Sequence, residues 1–380
     1  MNGYFANKRK LHSSFIEYIE STDDTDKYLQ NLISFIEDTQ LLKDKPNFNE
    51  LLHMVNYITN EHYRTPDFFQ KTDAFLSYIK NDIQNHFSNI EIFNIFQENK
   101  RILLSLFNEK IIIPNKEIAN RFFNIKFIAY NYVFYFFKEI SPFISENAKE
   151  KILDQMEKRK LNQFDSDEFE NKRLLGENDN HICMLIRNDF VEDFIAYTNS
   201  TNYDLSAKIK PSIFETNHFL IEKKQVTLIE YSAFCGSIQI FNYLRYNNVE
   251  LKSPLWIFSI HGNNPDIIHL LEEYHVKQPS KSILFESIKC HQNNYTDYIQ
   301  NNLLDKSLNE LALYTSVQFY NFDLFRPNVS KEFFFFQLCQ FNYINGVKIF
   351  LRIKELDVNE RTILKHLFLL IKFPFSIELI

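Results

Sequence analysis

Glycine is nearly missing from this 380-residue chain: five are present, at positions 3, 176, 236, 262 and 346. They are too scattered to write G-x-G-x-x-G or G-x-x-x-x-G-K, which excludes the two common loops that cradle phosphate with backbone N–H groups. H-E-x-x-H and G-x-S-x-G are absent too, removing two familiar hydrolase layouts. The four cysteines, Cys183, Cys235, Cys290 and Cys339, form no C-x-x-C pair. A thioredoxin-like redox site or a cysteine-pair zinc site is therefore unsupported. Basic charge is also in short supply. The 42 Lys and Arg against 49 Asp and Glu leave a net charge of −7, which argues against a nucleic-acid or anionic-membrane surface, since both need a positive field.

The short basic runs Lys8-Arg9-Lys10 and Lys158-Arg159-Lys160 carry no interleaved aromatic pattern and read as solvated faces. Long apolar runs are lacking as well. The most apolar windows, 122–137 and 333–347, are interrupted by Asn124, Lys126 and Asn131, or by Gln337, Gln340 and Asn342. Neither is long enough to span a bilayer comfortably. The opening residues have no signal-peptide stretch. The expectation is a cytoplasmic protein with no membrane contact.

What the chain does have is Phe, 40 of them, with 20 Tyr against a single Trp. One reading is the codon composition of an AT-rich genome, in which Phe is the available core filler. The other is an aromatic ligand-binding role. The first needs no additional function and is preferred.

Period-2 alternation is scarce, while apolar residues recur at spacings of three and four, so the chain reads as helical throughout. Thr65-Pro66-Asp67 looks like a helix start, with Thr as cap and Pro at the first helical position. Pro46 and Pro114 mark further starts, and Ser141-Pro142 a break before a helix over 148–159. Residues 118–140 are apolar nearly all round, as in a helix buried among others. Between 161 and 179 the sequence turns acidic and polar, which suggests a solvated connector between an N-terminal helical region, 1–160, and the C-terminal part of the chain.

Past residue 180 the chain repeats. The small-then-apolar pairs Ser232-Ala233, Ser259-Ile260 and Ser287-Ile288 recur at a near-constant step. Each is followed by a polar turn (Cys235-Gly236, Gly262-Asn263, His291-Gln292) and then a second apolar run. A fixed period carrying a helix–turn–helix unit is the mark of a stacked array, because one pair of short helices cannot bury its apolar stripe alone. Successive cysteines are separated by close to two such periods and fit small buried fillers.

Residues 227–244, TLIEYSAFCGSIQIFNYL, resemble the ankyrin repeat, T-P-L-H-x-A-A-x-x-G-H-L-E-I-V-K-L-L. Thr227, Ala233, Gly236, Ile240 and Leu244 are identical; Ile229, Ser232, Ile238, Gln239 and Phe241 are near substitutes. Residues 248–252 fall where the family has G-A-D-V-N, and Asp357-Val358-Asn359 followed by Thr362-Ile363-Leu364-Lys365 echoes D-V-N…T-P-L-H. Weaker copies lie at 181–197, 282–299 and 332–351. The phrasing around "IKPSIFETNHFLIEK" and "IHGNNPDIIHLLEE" is similar to a large group of trichomonad ankyrin proteins, in which the array follows a helical region of unknown function.

The resemblance implies an all-α fold: a helical N-terminal region followed by degenerate ankyrin repeats over 180–380, the last cut short. The unit length here, about 28 residues, is shorter than the ankyrin standard of about 33, so stubby loops are expected. The much longer step from Ile186 to Ala233 makes 200–225 an insertion or a degenerate extra unit. Leu228 and Glu230 replace the family's Pro and His, and this copy is expected to be less firmly tied.

The repeat frame yields a concave groove for a protein partner. Its expected lining is Tyr231 and Phe234, Phe258 and His261, Glu286 and Lys289, flanked by Asn247, Glu250, Lys277 and Gln278 on loops. The competing reading tucks Phe234 and Phe258 into the core. No catalysis, cofactor or metal is expected. Cys290-His291 is adjacent in sequence, poor geometry for a thiolate–imidazole pair, and His261, His269 and His275 are off the spacing that gathers ligands. The alternative is an enzyme with its site near Asn60–Lys71, around Glu61, His62, Tyr63 and Arg64, a stretch otherwise read as an exposed helix connection. A degenerating structural paralogue is a further alternative. The truncated last unit suggests an uncovered apolar C-terminus and self-association.

Overall fold

The computed structural model describes residues 2–124, 129–161, 164–223, 225–278, 280–304, 308–325 and 330–352. Among these residues every regular element is helical, and the one strand-like feature is an isolated antiparallel bridge between Lys208 and Thr227. The expected all-α class is correct. The residues around 357–365 and the C-terminal segment fall outside the described residues.

The chain forms two compact units. One comprises Met1–Ile58, Arg64–Phe68 and Ser280–Ile380; the other Thr59–Tyr63 and Phe69–Pro279. This partition groups the early helices with the late ones. In the first unit, helix Asn2–Glu20 seats Phe5 among Phe325, Phe334 and Phe350, with ring centroids 5.2–6.4 Å away. One turn on, Lys8 makes a buried 2.7 Å ion pair with Glu50, whose carboxylate also accepts from the Tyr4 hydroxyl at 2.7 Å. Removing one member of such a pair would strand a buried charge. Burial, followed by the Glu50 charge, pushes the Tyr4 phenol far up. His12 Nε2 meets His291 Nδ1 at 2.7 Å, so the N-terminal helix and a late turn share one core. Thr65-Pro66-Asp67 does not start a helix as expected. Asp67 is left-handed (φ 60°), the helix begins at Phe68, and the Thr65 hydroxyl donates to the Ile19 carbonyl instead of capping.

After Thr59–Tyr63 the second unit resumes at Phe69, within helix Phe68–Tyr78, and continues through short helices to Glu146–Lys158. The apolar stretch 118–140 gives helices Lys116–Asn124, Ala129–Tyr135 and Phe137–Ile140, with Phe122, Tyr132 and Phe136 buried. The expected connector also differs. Helix Asp167–Leu175 is capped by Ser166, and its Arg173 is fully buried between Glu139 (2.6 Å) and Glu170 (3.2 Å). Of the acids in this stretch Glu170 serves as a counter-charge for the buried guanidinium, the other coming from Glu139 of helix Phe137–Ile140, and the stretch carries a capped helix.

From residue 181 the helices come in pairs. His181–Arg187 is followed by Val191–Thr201, Leu228–Cys235 by Ile238–Tyr246, and Leu255–Gly262 by Pro265–Glu273. In the other unit Ser280–Lys289 is followed by Asn293–Tyr298, and Lys331–Gln340 by Ile344–Arg352. Between the helices of each pair one residue is left-handed: Asp189, Gly236, Asn263, His291 and Asn342, with Tyr320 after helix Asn309–Gln318. Positions 236, 263, 291 and 320 keep the period that the serines mark in the sequence.

The local cause is a helix-ending bond from the residue after the left-handed one to a carbonyl five residues back. It joins Phe190 to Leu185, Ser237 to Ser232, Gln292 to Ser287, Asn321 to Ser316 and Tyr343 to Leu338, at 2.9–3.1 Å. The serines that mark the repeat in sequence, Ser232, Ser259 and Ser287, together with Ser316, are buried. Each hydroxyl donates to a carbonyl of its own helix. A small, internally satisfied residue lets a neighbour approach without leaving a polar atom unpaired.

Gly236 combines two constraints. Its φ is 70°, and an added Cβ would lie 2.5 Å from the Gly262 carbonyl oxygen. Gly262 answers only the second constraint, since a Cβ there would strike the Ala233 carbonyl. Glu230 does not loosen this helix pair, against the expectation. It closes a capping box with Thr227, each side chain reaching the other's backbone N–H.

Candidate interaction surface

In the second unit, successive first helices bring Tyr231 and Phe234 beside Phe258 and His261, one repeat period further along the chain. The repeat frame predicts an open groove here. Tyr231, Phe258 and His261 are instead buried, and Phe234 is half-buried. Phe234, Phe258 and His261 are covered by Phe219, from the one-turn helix His218–Glu222. Its ring stacks on His261 (4.2 Å, 30°), lies parallel to Phe234 (6.1 Å, 2°) and meets Phe258 edge-on (5.0 Å, 74°). The long step between Ile186 and Ala233 is the sequence signal of an insertion. It does not say that the insertion folds back over this face.

That segment is firmly fastened. The Lys100 ammonium, buried, donates to the carbonyls of Ile213 and Glu215 and sits 4.2 Å from the Tyr135 ring centre. Burial pulls the Lys100 amine down to about 7, partly countered by Glu215. Thr216 bonds Gly176 O through both its N–H (3.2 Å) and its hydroxyl (2.6 Å). The Glu215 carboxylate accepts from the N–H groups of Thr216 and Asn217, and Asn217 caps the short helix. Tyr231 is tied on another side, its hydroxyl accepting from Arg187 at 3.2 Å, and burial drives its phenol well up.

The remaining expected residues divide. Glu286 is buried in the first unit and pairs with the half-buried Lys289 at 3.4 Å, so neither forms an open charged edge. On the loops of the second unit Asn247, Glu250 and Lys277 are exposed and Gln278 is half-buried. Glu250 pairs with Lys252 at 3.0 Å, and Asn247 donates to the Tyr243 carbonyl. Beside them is a feature sequence reading missed: Tyr246 and Tyr274, both exposed, flank the Arg245 guanidinium at 4.1 and 4.9 Å. Arg245 also donates to the Tyr274 hydroxyl.

The histidines weighed as ligands part company, since His261 lies under Phe219 whereas His269 is exposed beside Glu272 at 3.2 Å. The stretch behind the enzyme alternative is not an exposed connection: Glu61 and His62 are buried, with Glu61 3.7 Å from His218. Burial pushes the Cys183 thiol up to about 12, which suits a packing role. No helix among the described residues is long and apolar enough to cross a membrane. No family model, curated protein or solved structure matches this chain.

Proposed function

We propose that this chain is a non-catalytic protein–protein interaction module built on a degenerate ankyrin-type array. The observation carrying the reading is the recurrence of one turn, a left-handed residue closed by the same five-residue-back bond, at positions 236, 291 and 320 with its sequence period kept at 263. Short helix pairs of this kind gain stability from neighbour contacts and leave outward loops free to vary, which suits recognition of a protein partner. The ankyrin resemblance of 227–244 supports the same reading.

The partner surface in this proposal is the loop edge, Asn247, Glu250 and Lys277 with Tyr246, Arg245 and Tyr274, where two tyrosines held by an arginine supply rigid anchors. The partner is a cytoplasmic protein, and self-association through the C-terminal end is a second route to the same chemistry. Proximity labelling in the native cell followed by quantified co-purification tests it. Tyr246→Ala combined with Lys277→Glu should cut recovery of the principal partner at least tenfold. Recovery equal to wild type would overturn the reading.

A further inference from the structure

We infer that residues 213–222 are an internal ligand of the repeat face: Phe219 occupies a seat formed by Phe234, Phe258 and His261, and a partner presenting an aromatic side chain on a short helix takes that seat when the segment lifts. The inference deepens the proposed interaction function and rests on it for the partner, though not for the motion.

Three observations carry it. First, the seat is shaped for one ring, with a stacked, a parallel and an edge-on neighbour around Phe219. Aromatic contacts of this geometry contribute beyond their buried area.

Second, the excursion is closed at its base. Ile209 N–H donates to the Val226 carbonyl at 2.8 Å and Leu228 N–H to the Ala207 carbonyl at 3.2 Å. Residues 213–220 are buried except for half-buried His218, so lifting the segment is a local unfolding that exposes its apolar side chains, while the pinned base lets it open without redirecting the helices on either side.

Third, the helix that carries Phe219 spans five residues, far below the length at which a helix holds itself in water. Its order is therefore borrowed from the seat, from the fastenings at 213–217, and from the 59–63 segment, where Asn217 donates to the Asn60 carbonyl at 3.4 Å and His218 lies 3.7 Å from Glu61. Those fastenings, Lys100 to two carbonyls and Thr216 to Gly176, use none of the three residues that surround the ring. They act as a latch separable from the seat.

The test uses the whole chain. Hydrogen–deuterium exchange should show the amides of Ile221 and Lys223, which close the short helix, exchanging at least tenfold faster than those of Leu228–Cys235. Equal protection would overturn the proposal without any variant being made. A fluorescent peptide of residues 211–223 should bind the Phe219→Ser chain and bind wild type at least tenfold more weakly. The same peptide with its Phe replaced by Ala should not bind. Lys100→Met, which removes the Lys100 half of the latch and touches none of the three seat residues, should raise peptide binding above that of wild type, toward that of Phe219→Ser. Equal binding to wild type and variant, or none to any chain that keeps its cooperative unfolding, would overturn it. Recovery of a cellular partner alongside equal protection would sink this inference and spare the interaction function. Opening and peptide binding with no cellular partner would do the reverse.

Discussion

Replacing Gly236 with alanine separates two costs that the structure superimposes. The backbone there is left-handed, φ 70°, which costs a residue with a Cβ about 1–2 kcal/mol. The new methyl would also lie 2.5 Å from the Gly262 carbonyl oxygen, and relieving such overpacking costs about 1–3 kcal/mol. The expected loss is thus roughly 3 kcal/mol. Gly262→Ala keeps only the steric part. Gly236→Asn keeps the steric part and lowers the conformational one, because Asn tolerates left-handed backbone. Gly3→Ala is the control, with nothing within 4 Å of its Cβ.

The chain provides its own reporter. Its single Trp is Trp256, buried in helix Leu255–Gly262 and donating to the Val276 carbonyl at 2.9 Å. Trp fluorescence in a urea titration therefore follows the neighbourhood of the substitution. With a slope of about 2 kcal/mol per molar urea, a loss of about 3 kcal/mol moves the midpoint down by about 1.5 M. The order of stability should be Gly3→Ala, then Gly236→Asn, then Gly236→Ala. A midpoint for Gly236→Ala within about 0.2 M of wild type would refute both the turn and the close approach.

Lys100 should make stability rise with pH. Its folded pKa, about 7, is below the unfolded value, so between about 7 and 9 the unfolded chain holds more protons. The slope is at most about 1.4 kcal/mol per pH unit, Lys100→Met should flatten it in urea titrations at pH 7 and 9, and an unchanged slope would count against the burial. Above pH 9 the sign turns, because thiols held at about 12, Cys183 and Cys339, favour the unfolded state once free thiols ionise. The same two thiols should react with a disulfide reagent at pH 8 only as the chain unfolds; rapid labelling of either in native protein would contradict their packing. Thr227→Ala, which opens the capping box, should cost about 1 kcal/mol, read by the same Trp titration, and no loss would show that the box contributes nothing.

Helical character, the repeat period and Gly236 as a turn glycine were all legible, because each leaves a periodic or stereochemical trace in the residues themselves. The groove was not. Tyr231, Phe258 and His261 occupy the positions the period assigns, and what changes the exposure of the last two is a segment between repeats whose path no periodicity encodes. Arg173 failed for a related reason: a charged residue amid acids reads as solvated until a distant helix delivers Glu139. Glu230 shows the opposite error. Judged against a family pattern it was a defect, whereas its own chemistry, a carboxylate three residues after Thr227, already spelled a cap.

The left-handed residues also bear on how this protein could be engineered. Lys110, Lys160 and His275 are exposed and hold φ between 50° and 59°, positions that most side chains avoid and glycine accepts without strain. A chain so poor in glycine thus has room for improvement at these surface turns. Introducing glycine at all three, where no core packing is lost, is a route to a hardier scaffold that leaves the loop-edge tyrosines untouched.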